Sequence, residues 1–177
     1  MEDQQKPTKT IALNYGLFLG IISILISVAN YAMGKAYEQD WKIGLLSFIV
    51  MAVIITLGIK KFREANGGFL SLGQGLKTGI GIALIAAVIG IIYNMIFMNF
   101  IEPDFMEKMM EVTRENLLDN PNLSEEMIDQ QMEIVKKMSS PAINAGIALI
   151  ASVFFGFIIS MVASLVMKKS DEEITSI

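Results

Sequence analysis

The chain has 177 residues, of which 53% are hydrophobic and 18% are charged, and its formal net charge is −4. Soluble domains carry about 25% charged residues, so this composition is unusual for a soluble domain. The chain contains no Cys and no His, which excludes disulfides, thiolate metal sites, thiol nucleophiles and the commonest general base.

Four stretches of the chain contain no Asp, Glu, Lys or Arg: Thr10–Gly34, Ile43–Ile59, Thr78–Ile101 and Met138–Met167. A helix that crosses the hydrocarbon core of a bilayer needs roughly 17–25 apolar residues. All four stretches reach that length, so the sequence predicts an all-α integral membrane protein with four transmembrane helices. We place the spans at about 11–33, 43–59, 78–101 and 141–167 of a single membrane domain, residues 1–177.

A secretory signal peptide is the competing interpretation of the first stretch. Its leading segment, MEDQQKPTKT, has no net charge, whereas signal peptides begin with a positively charged region. The apolar run is also longer than the usual 7–15 residues, and no clear A-x-A cleavage site follows it. The sequence therefore favours a first span that is retained in the protein.

The orientation follows from Lys and Arg, which accumulate on the cytoplasmic side of a membrane. With the N-terminus inside, the cytoplasmic segments hold eight of these residues and the outer segments hold six. The dense cluster of Lys60, Lys61 and Arg63, directly after the second span, decides the balance. The sequence predicts a multi-pass protein with both termini in the cytoplasm.

A basic, glycine-rich segment, residues 60–77, follows the second span and is predicted to form a cytoplasmic hinge. Asn66, Gly67 and Gly68 give a strong turn signal, since Asn and Gly both tolerate positive φ. Ser71 is predicted to N-cap a short amphipathic helix that lies in the membrane interface before the third span. The candidate interaction or hinge motif consists of Asn66, Gly67, Gly68, Gly73 and Gln74.

Residues 102–140 carry ten acidic and four basic side chains and are predicted to lie outside the membrane. Apolar residues at helical spacing occur on both sides of a turn signal, DNPN. Ser124 is a predicted N-cap with two acidic residues in the first turn, and Pro141 suits the start of the last span. The sequence thus predicts an extracytoplasmic acidic helical hairpin between the third and fourth spans.

Small residues follow one face of three spans: Gly16, Gly20, Ser23, Ser27, Asn30 and Gly34 in the first; Gly79, Ala83, Ala86, Gly90 and Asn94 in the third; Ser152, Gly156 and Ser160 in the fourth. Such residues let helices approach closely in lipid. Packing within one bundle is the favoured interpretation, and a homodimer contact and a substrate groove stay open. Asn30 and Asn94 form a candidate intramembrane polar seam.

The sequence predicts no cofactor, no metal site and no nucleic-acid partner. In GQGLKTG, Lys77 follows Leu76 rather than Gly, so the phosphate-binding loop pattern is not met, and the dinucleotide pattern is missed by one position. The 13 Met residues are interpreted as filling apolar helix faces rather than binding copper. Glu102 and Asp104, at the predicted outer surface, leave an enzymatic interpretation open.

Three segments carry a family resemblance: EANGGFLSLGQGLKTG at residues 64–79, YNMIFMNFIEPDF at 93–105 and NLSEEMIDQQMEIVKKMSSP at 122–141. With these segments the chain resembles the bacterial domain-of-unknown-function 4199 membrane family over about residues 10–167. The resemblance implies four spans and a bacterial inner membrane, and it implies no activity. Gly75 stands where the resemblance leads us to expect a bulkier residue, and it is expected to loosen the start of the helix.

These patterns favour an uncharacterised non-enzymatic inner-membrane protein that is a structural or assembly partner in a membrane complex. Its expected partners are the lipid bilayer and a second membrane protein or a second copy of the chain. A small permease or lipid-handling protein of the cell envelope is the alternative. The spans contain no carboxylate or amine side chain, which proton relays and ion-coupled carriers generally need.

Overall fold

A computed structural model describes residues 2–37 and 40–169. This part of the chain folds into helices: α1 (Glu2–Ala32), α2 (Trp41–Ala65), α3 (Leu72–Ile96), α4 (Phe105–Leu118), α5 (Glu125–Met138) and α6 (Pro141–Met167). A single π-helical turn, Phe97–Ile101, continues α3. Residue 1 and residues 170–177, for which the sequence predicts a cytoplasmic position, lie outside the described residues.

Four of these helices are long and apolar enough to cross a membrane: Thr8–Ala32, Trp41–Ala65, Leu72–Ile101 and Pro141–Met167. The prediction of an all-α protein with four transmembrane helices is therefore confirmed. The predicted N-caps Ser71 and Ser124 both accept a backbone hydrogen bond at a helix start, and Pro141 occupies the first turn of α6.

The predicted hinge is shorter than residues 60–77. Helix α2 continues beyond Ile59 to Ala65, because the charged residues there are good helix formers whose charged ends can reach the membrane surface. The amphipathic lead-in is not a separate interfacial helix, since Leu72 begins an uninterrupted α3. The non-helical connection is reduced to residues 66–71.

Helix α3 is the centre of the bundle. It packs along α1 and along α6, while α2 contacts all three of these helices. Ile55 and Ile59 of α2 and Ile82 of α3 are fully buried where α2 meets α3. The side of α3 away from α2 remains uncovered, so that Leu84 and Val88 are exposed there.

Glycines set the distance between α1 and α3. A Cβ built on Gly16 would lie 2.7 Å from the Cβ of Ile85, and one built on Gly20 would lie 2.9 Å from Ile89. Real Cβ atoms do not approach so closely, so these two glycines are required for the observed helix contact. Gly16 and Gly20 therefore serve packing within the bundle, as small residues do between helices in lipid.

The contact between α3 and α6 is built from small residues on both helices. Three pairs meet at successive turns: Gly75 with Ser164, Gly79 with Ser160, and Ala83 with Gly156. A Cβ built on Gly75 would lie 1.9 Å from the Ser164 Oγ. The expectation that Gly75 loosens the start of α3 is wrong, because glycine is the residue that lets α6 approach at this position.

The contact between α3 and α6 becomes looser toward the end of the bundle at which α3 ends and α6 begins. Continuing the register of these pairs places Gly90 of α3 opposite Leu149 of α6. Yet no atom lies within 4 Å of a Cβ built on Gly90 or on Gly146. Asn94, one turn beyond Gly90, is exposed. We call this part of the α3–α6 contact, comprising Gly90, Asn94, Gly146 and Leu149, the open seam.

Candidate functional site

The candidate hinge motif forms a hydrogen-bonded connection between α2 and α3. The Asn66 amide donates to the Phe69 carbonyl at 3.0 Å, and the Arg63 Nε donates to the Gly68 carbonyl at 3.0 Å. Gly67 and Gly68 adopt φ values of 68° and 91°, a region that L side chains rarely enter. The conformation of this segment is thus fixed by its glycines and by two side chains.

The other two residues of the motif belong to α3. The Gln74 side chain accepts from the Ser71 backbone at 2.9 Å, while the Gln74 backbone donates to the Ser71 Oγ at 3.3 Å. This reciprocal capping box satisfies two backbone groups at the helix start. Gly73 has open space around it. Gln74 therefore has a structural task, and Gly73 makes no contact that a larger side chain would disturb.

The connection is also tied to the end of α6. Leu70 and Lys169 form an antiparallel bridge, in which each backbone N–H donates to the other residue's carbonyl, at 3.1 and 3.2 Å. Leu70 is fully buried, as is Phe62 at the end of α2. Three helices are thereby joined at this end of the bundle, so the segment is a fixed junction within the described part of the chain.

A second group of interacting residues lies at the opposite end of the bundle, around Glu102. One carboxylate oxygen accepts from the Tyr31 hydroxyl at the end of α1, and the other accepts from the Lys108 ammonium of α4. Tyr37, in the turn after α1, lies beside them with its ring against that of Phe105, the centroids being 5.2 Å apart. Glu102 therefore links α1, the end of α3 and α4. We call Tyr31, Tyr37, Glu102 and Lys108 the Glu102 cluster.

The π-helical turn places Glu102 in this cluster. The Glu102 N–H donates to the Phe97 carbonyl at 2.9 Å, five residues earlier, and such widened turns occur frequently at functional sites. Phe97 is buried and contacts Tyr31, Tyr93 and Phe105 edge-on or tilted, with ring centroids 5.1–5.9 Å apart. These ring contacts pack the end of α1, the end of α3 and the start of α4 together.

The cluster holds Glu102 in its ionised form. The hydrogen bond from Lys108, followed by that from Tyr31, lowers the pKa of the Glu102 carboxyl to about 2, although partial burial acts in the opposite direction. The same ion pair raises the pKa of Lys108. The Glu102 side chain is 13% exposed. A carboxylate so fully engaged is suited to positioning its neighbours rather than to exchanging protons near neutral pH.

Replacing Glu102 by Gln should lower the detergent unfolding midpoint at neutral pH, because Lys108 and Tyr31 lose a charged acceptor. The folded-state pKa of about 2 lies below the ordinary value of 4.5. The stabilisation is therefore complete above pH 4.5 and is lost as pH falls toward 2. The difference between wild type and Glu102→Gln should shrink over that window.

Thermal unfolding from pH 7 to pH 2, followed by circular dichroism, measures this difference. Glu107→Gln, on the exposed face of α4, is the control and should leave the midpoint at pH 7 nearly unchanged. A wild-type advantage that persists undiminished at pH 2 would contradict the role assigned to the Glu102 carboxylate.

Asn30 and Asn94 are not joined in the structure. The Asn30 amide donates to the Lys35 carbonyl at 3.2 Å, and its Oδ1 is buried without a partner. The Asn94 side chain is exposed in the open seam and has no hydrogen-bond partner among the described residues. The two residues therefore occupy separate environments, and Asn30 closes the turn after α1.

The sequence analysis missed most of the Glu102 cluster. Glu102 was considered together with Asp104, but Asp104 lies at the start of α4 without a side-chain capping bond. No pattern in the sequence singles out Tyr37, and Lys108 enters only as one of the four basic side chains of residues 102–140. One signal in the sequence could have indicated the cluster. Glu102 directly follows the third span, and Tyr31 lies near the end of the first span, which is on the same side of the membrane.

The described residues contain no group of three or more His, Cys, Asp or Glu side chains that could hold a metal ion.

A family model of proteins of unknown function, DUF4199, matches residues 14–169. The chain belongs to the DUF4199 family. No curated protein and no solved structure matches this DUF4199 chain. The match covers all four membrane-spanning helices, the hinge motif and the Glu102 cluster.

Proposed function

We propose that this DUF4199 protein is a non-enzymatic structural subunit of a membrane assembly in the bacterial inner membrane. The observation that carries the proposal is the exposed Asn94 side chain in the open seam, inside a membrane-spanning helix. An amide that faces hydrocarbon without a partner is costly. A second membrane-spanning helix that donates to and accepts from Asn94 removes that cost.

A second copy of the chain is the partner that we propose. Asn carries both donors and an acceptor, so Asn94 can pair with its own equivalent across a two-fold axis. Gly90, one turn away, has open space around it and allows a helix backbone to approach closely. Leu84 and Val88 are exposed on the uncovered side of α3 and would extend the same contact.

The proposed topology places both termini in the cytoplasm and residues 102–140 outside as an acidic helical hairpin. The basic residues at the ends of α2 and α6 support this orientation. Arg114 of α4 and Asp129 of α5 form an ion pair of 3.0 Å, and the two helices are in contact. These contacts support a hairpin rather than an extended tether.

Association can be measured by energy transfer between two labelled populations in liposomes, because the chain has no Cys and accepts a single label at Asp119→Cys. We expect the wild type to associate and Asn94→Leu to weaken association about threefold to thirtyfold. That range corresponds to the about 0.6–2 kcal/mol of a polar contact between membrane helices. Asn99→Leu is the matched control, because the Asn99 amide already donates to the Met95 carbonyl of its own turn.

A wild-type protein that stays monomeric in liposomes at every protein-to-lipid ratio would overturn the proposed homodimer. Affinity purification from native membranes then identifies the partner. A different membrane protein in stoichiometric amount, lost on Asn94→Leu, would keep the assembly role and change the partner. An absence of any protein partner in both experiments would overturn the assembly role.

A lipid-handling role is the second candidate, because an apolar groove begins at the open seam. The groove has a volume of about 480 Å³ and is lined by Leu149, Ile150, Val153, Phe154 and Phe157. An acyl chain fits such a surface, and Leu149 belongs both to this groove and to the open seam that contains Asn94. Asn30 is already bonded to Lys35, so this role depends on Asn94 alone. A specific lipid that is retained by purified wild type and lost from Asn94→Leu would favour this candidate.

An enzyme that uses Glu102 and Asp104 is the least favoured function. Glu102 already accepts from the Tyr31 hydroxyl and the Lys108 ammonium, and its pKa of about 2 makes it a weak base. Alanine substitution of both residues with an unchanged phenotype would remove this interpretation.

A further inference from the structure

Helix α5 presents two different apolar surfaces. Ile128 is buried at 2% exposure, on the helix that packs against α4. Met127, Ile134 and Met138 are 47%, 57% and 50% exposed. These three residues are spaced by seven and four positions, so they lie in one line along the helix. An exposed line of three large apolar side chains, separate from the buried Ile128, indicates a further contact.

The position of α5 directly before a membrane-spanning helix indicates what covers the line of Met127, Ile134 and Met138. Only Ser139 and Ser140 separate α5 from Pro141, the first residue of the fourth membrane-spanning helix. Three residue steps extend at most about 10 Å. Each headgroup layer of a bilayer is about 5–8 Å thick, so Met138 cannot be far from the membrane surface. The last residue of the apolar line is thus held close to the start of a membrane-spanning helix.

The charges of α5 are distributed in agreement with this position. The acidic residues Glu125, Glu126, Asp129 and Glu133 lie on the side away from the apolar line. Lys136 and Lys137 occupy the last turn, and the Lys137 ammonium pairs with Glu133 at 2.8 Å on the polar side of the helix. A helix with one apolar side, one acidic side and terminal lysines is suited to a lipid–water boundary.

We propose that α5 lies in the plane of the membrane surface, with Met127, Ile134 and Met138 inserted at the boundary between headgroups and hydrocarbon. The occupant of this surface is the bilayer itself. The Glu102 cluster fixes the start of α4 and the fourth span fixes the end of α5, so the segment between the third and fourth spans is held at both ends against the membrane. This inference does not depend on the homodimer proposed above.

Single-cysteine variants test the proposal, because the chain has no Cys of its own. An environment-sensitive fluorophore is attached at Ile134→Cys or, as the matched control, at Glu133→Cys on the acidic side. The protein is reconstituted alone in phospholipid liposomes. We expect blue-shifted emission at position 134, quenched by nitroxide-bearing lipid, and red-shifted emission at position 133, quenched by aqueous iodide.

Equal iodide quenching at both positions, without quenching by nitroxide lipid, would overturn the proposal. Protection of position 134 from iodide in native membranes but not in liposomes would also overturn the proposal. It would show that a partner protein covers the line of Met127, Ile134 and Met138. Met138→Cys provides an independent second position, expected to behave as position 134 does. A helix that is intact by circular dichroism in each variant confirms that the labels report on a folded α5.

Discussion

Replacing Gly79 by leucine is expected to prevent α3 and α6 from packing, and this is the largest effect that we predict. A Cβ at position 79 would lie 1.9 Å from the Ser160 Oγ, 2.8 Å from the Ser160 Cβ and 3.0 Å from an Ile55 methyl group. The hydroxyl can rotate, but the Ser160 Cβ is fixed to its helix. Overpacking usually costs about 1–3 kcal/mol, and leucine at the centre of three helices should reach or exceed the upper value.

Gly90→Leu provides the control for this experiment. Both glycines lie on the α6 side of α3, but a Cβ built on Gly90 has no neighbour within 4 Å. Unfolding in a denaturing detergent should show a large loss of stability for Gly79→Leu and little change for Gly90→Leu. Because Gly90 lies in the open seam, its leucine variant should instead weaken association between copies. Equal losses of stability in both variants would contradict the conclusion that α6 covers Gly79 and leaves Gly90 uncovered.

Replacing Gly67 and Gly68 together by alanine is expected to destabilise the protein by about 2–4 kcal/mol. Both residues have positive φ, at 68° and 91°, and the left-handed region costs a residue with a Cβ about 1–2 kcal/mol. Neither position is crowded at short range, so the loss arises from backbone strain rather than from a clash. The Arg63 bond to the Gly68 carbonyl would be strained as well.

Gly73→Ala is the control for the double variant and should shift stability in the opposite direction. Gly73 lies in the first turn of α3 with open space around it, and replacing a glycine by alanine at a compatible position stabilises by about 0.4–1 kcal/mol. Thermal unfolding of the two variants in the same detergent compares them directly. A double variant as stable as the wild type would show that this connection is not held in the described conformation.

The hydrophobic pattern was sufficient to predict the four spans, because charge-free stretches of adequate length have few alternatives in a chain of this composition. Local signals also predicted the caps at Ser71 and Ser124. The helix ends were less predictable, since Lys60 and Arg63 are compatible with both a loop and a helix that extends to the membrane surface. Taking the end of the charge-free stretch as the end of the helix therefore overestimated the length of the hinge.

Contacts between distant residues were not accessible from the sequence. The small residues of the third span were recognised, but Gly79 in the closed seam and Gly90 in the open seam give the same local signal. Whether α6 covers each of these glycines depends on the angle at which α6 crosses α3, which the local sequence does not contain. The Glu102 cluster was missed for a related reason, because Tyr31 and Lys108 meet only once the π-helical turn has placed Glu102 between them.

The bridge between Leu70 and Lys169 has a consequence for biogenesis. It joins the connection after the second span to the end of the last one, and the ribosome delivers the last span only after the first three are made. Until α6 enters the membrane, the glycine-lined side of α3 faces lipid and Leu70 lacks its backbone partner. The junction at Leu70 therefore forms only after α6 has been inserted, and a chain interrupted before α6 would leave the glycine-lined side of α3 and the Leu70 backbone without their partners.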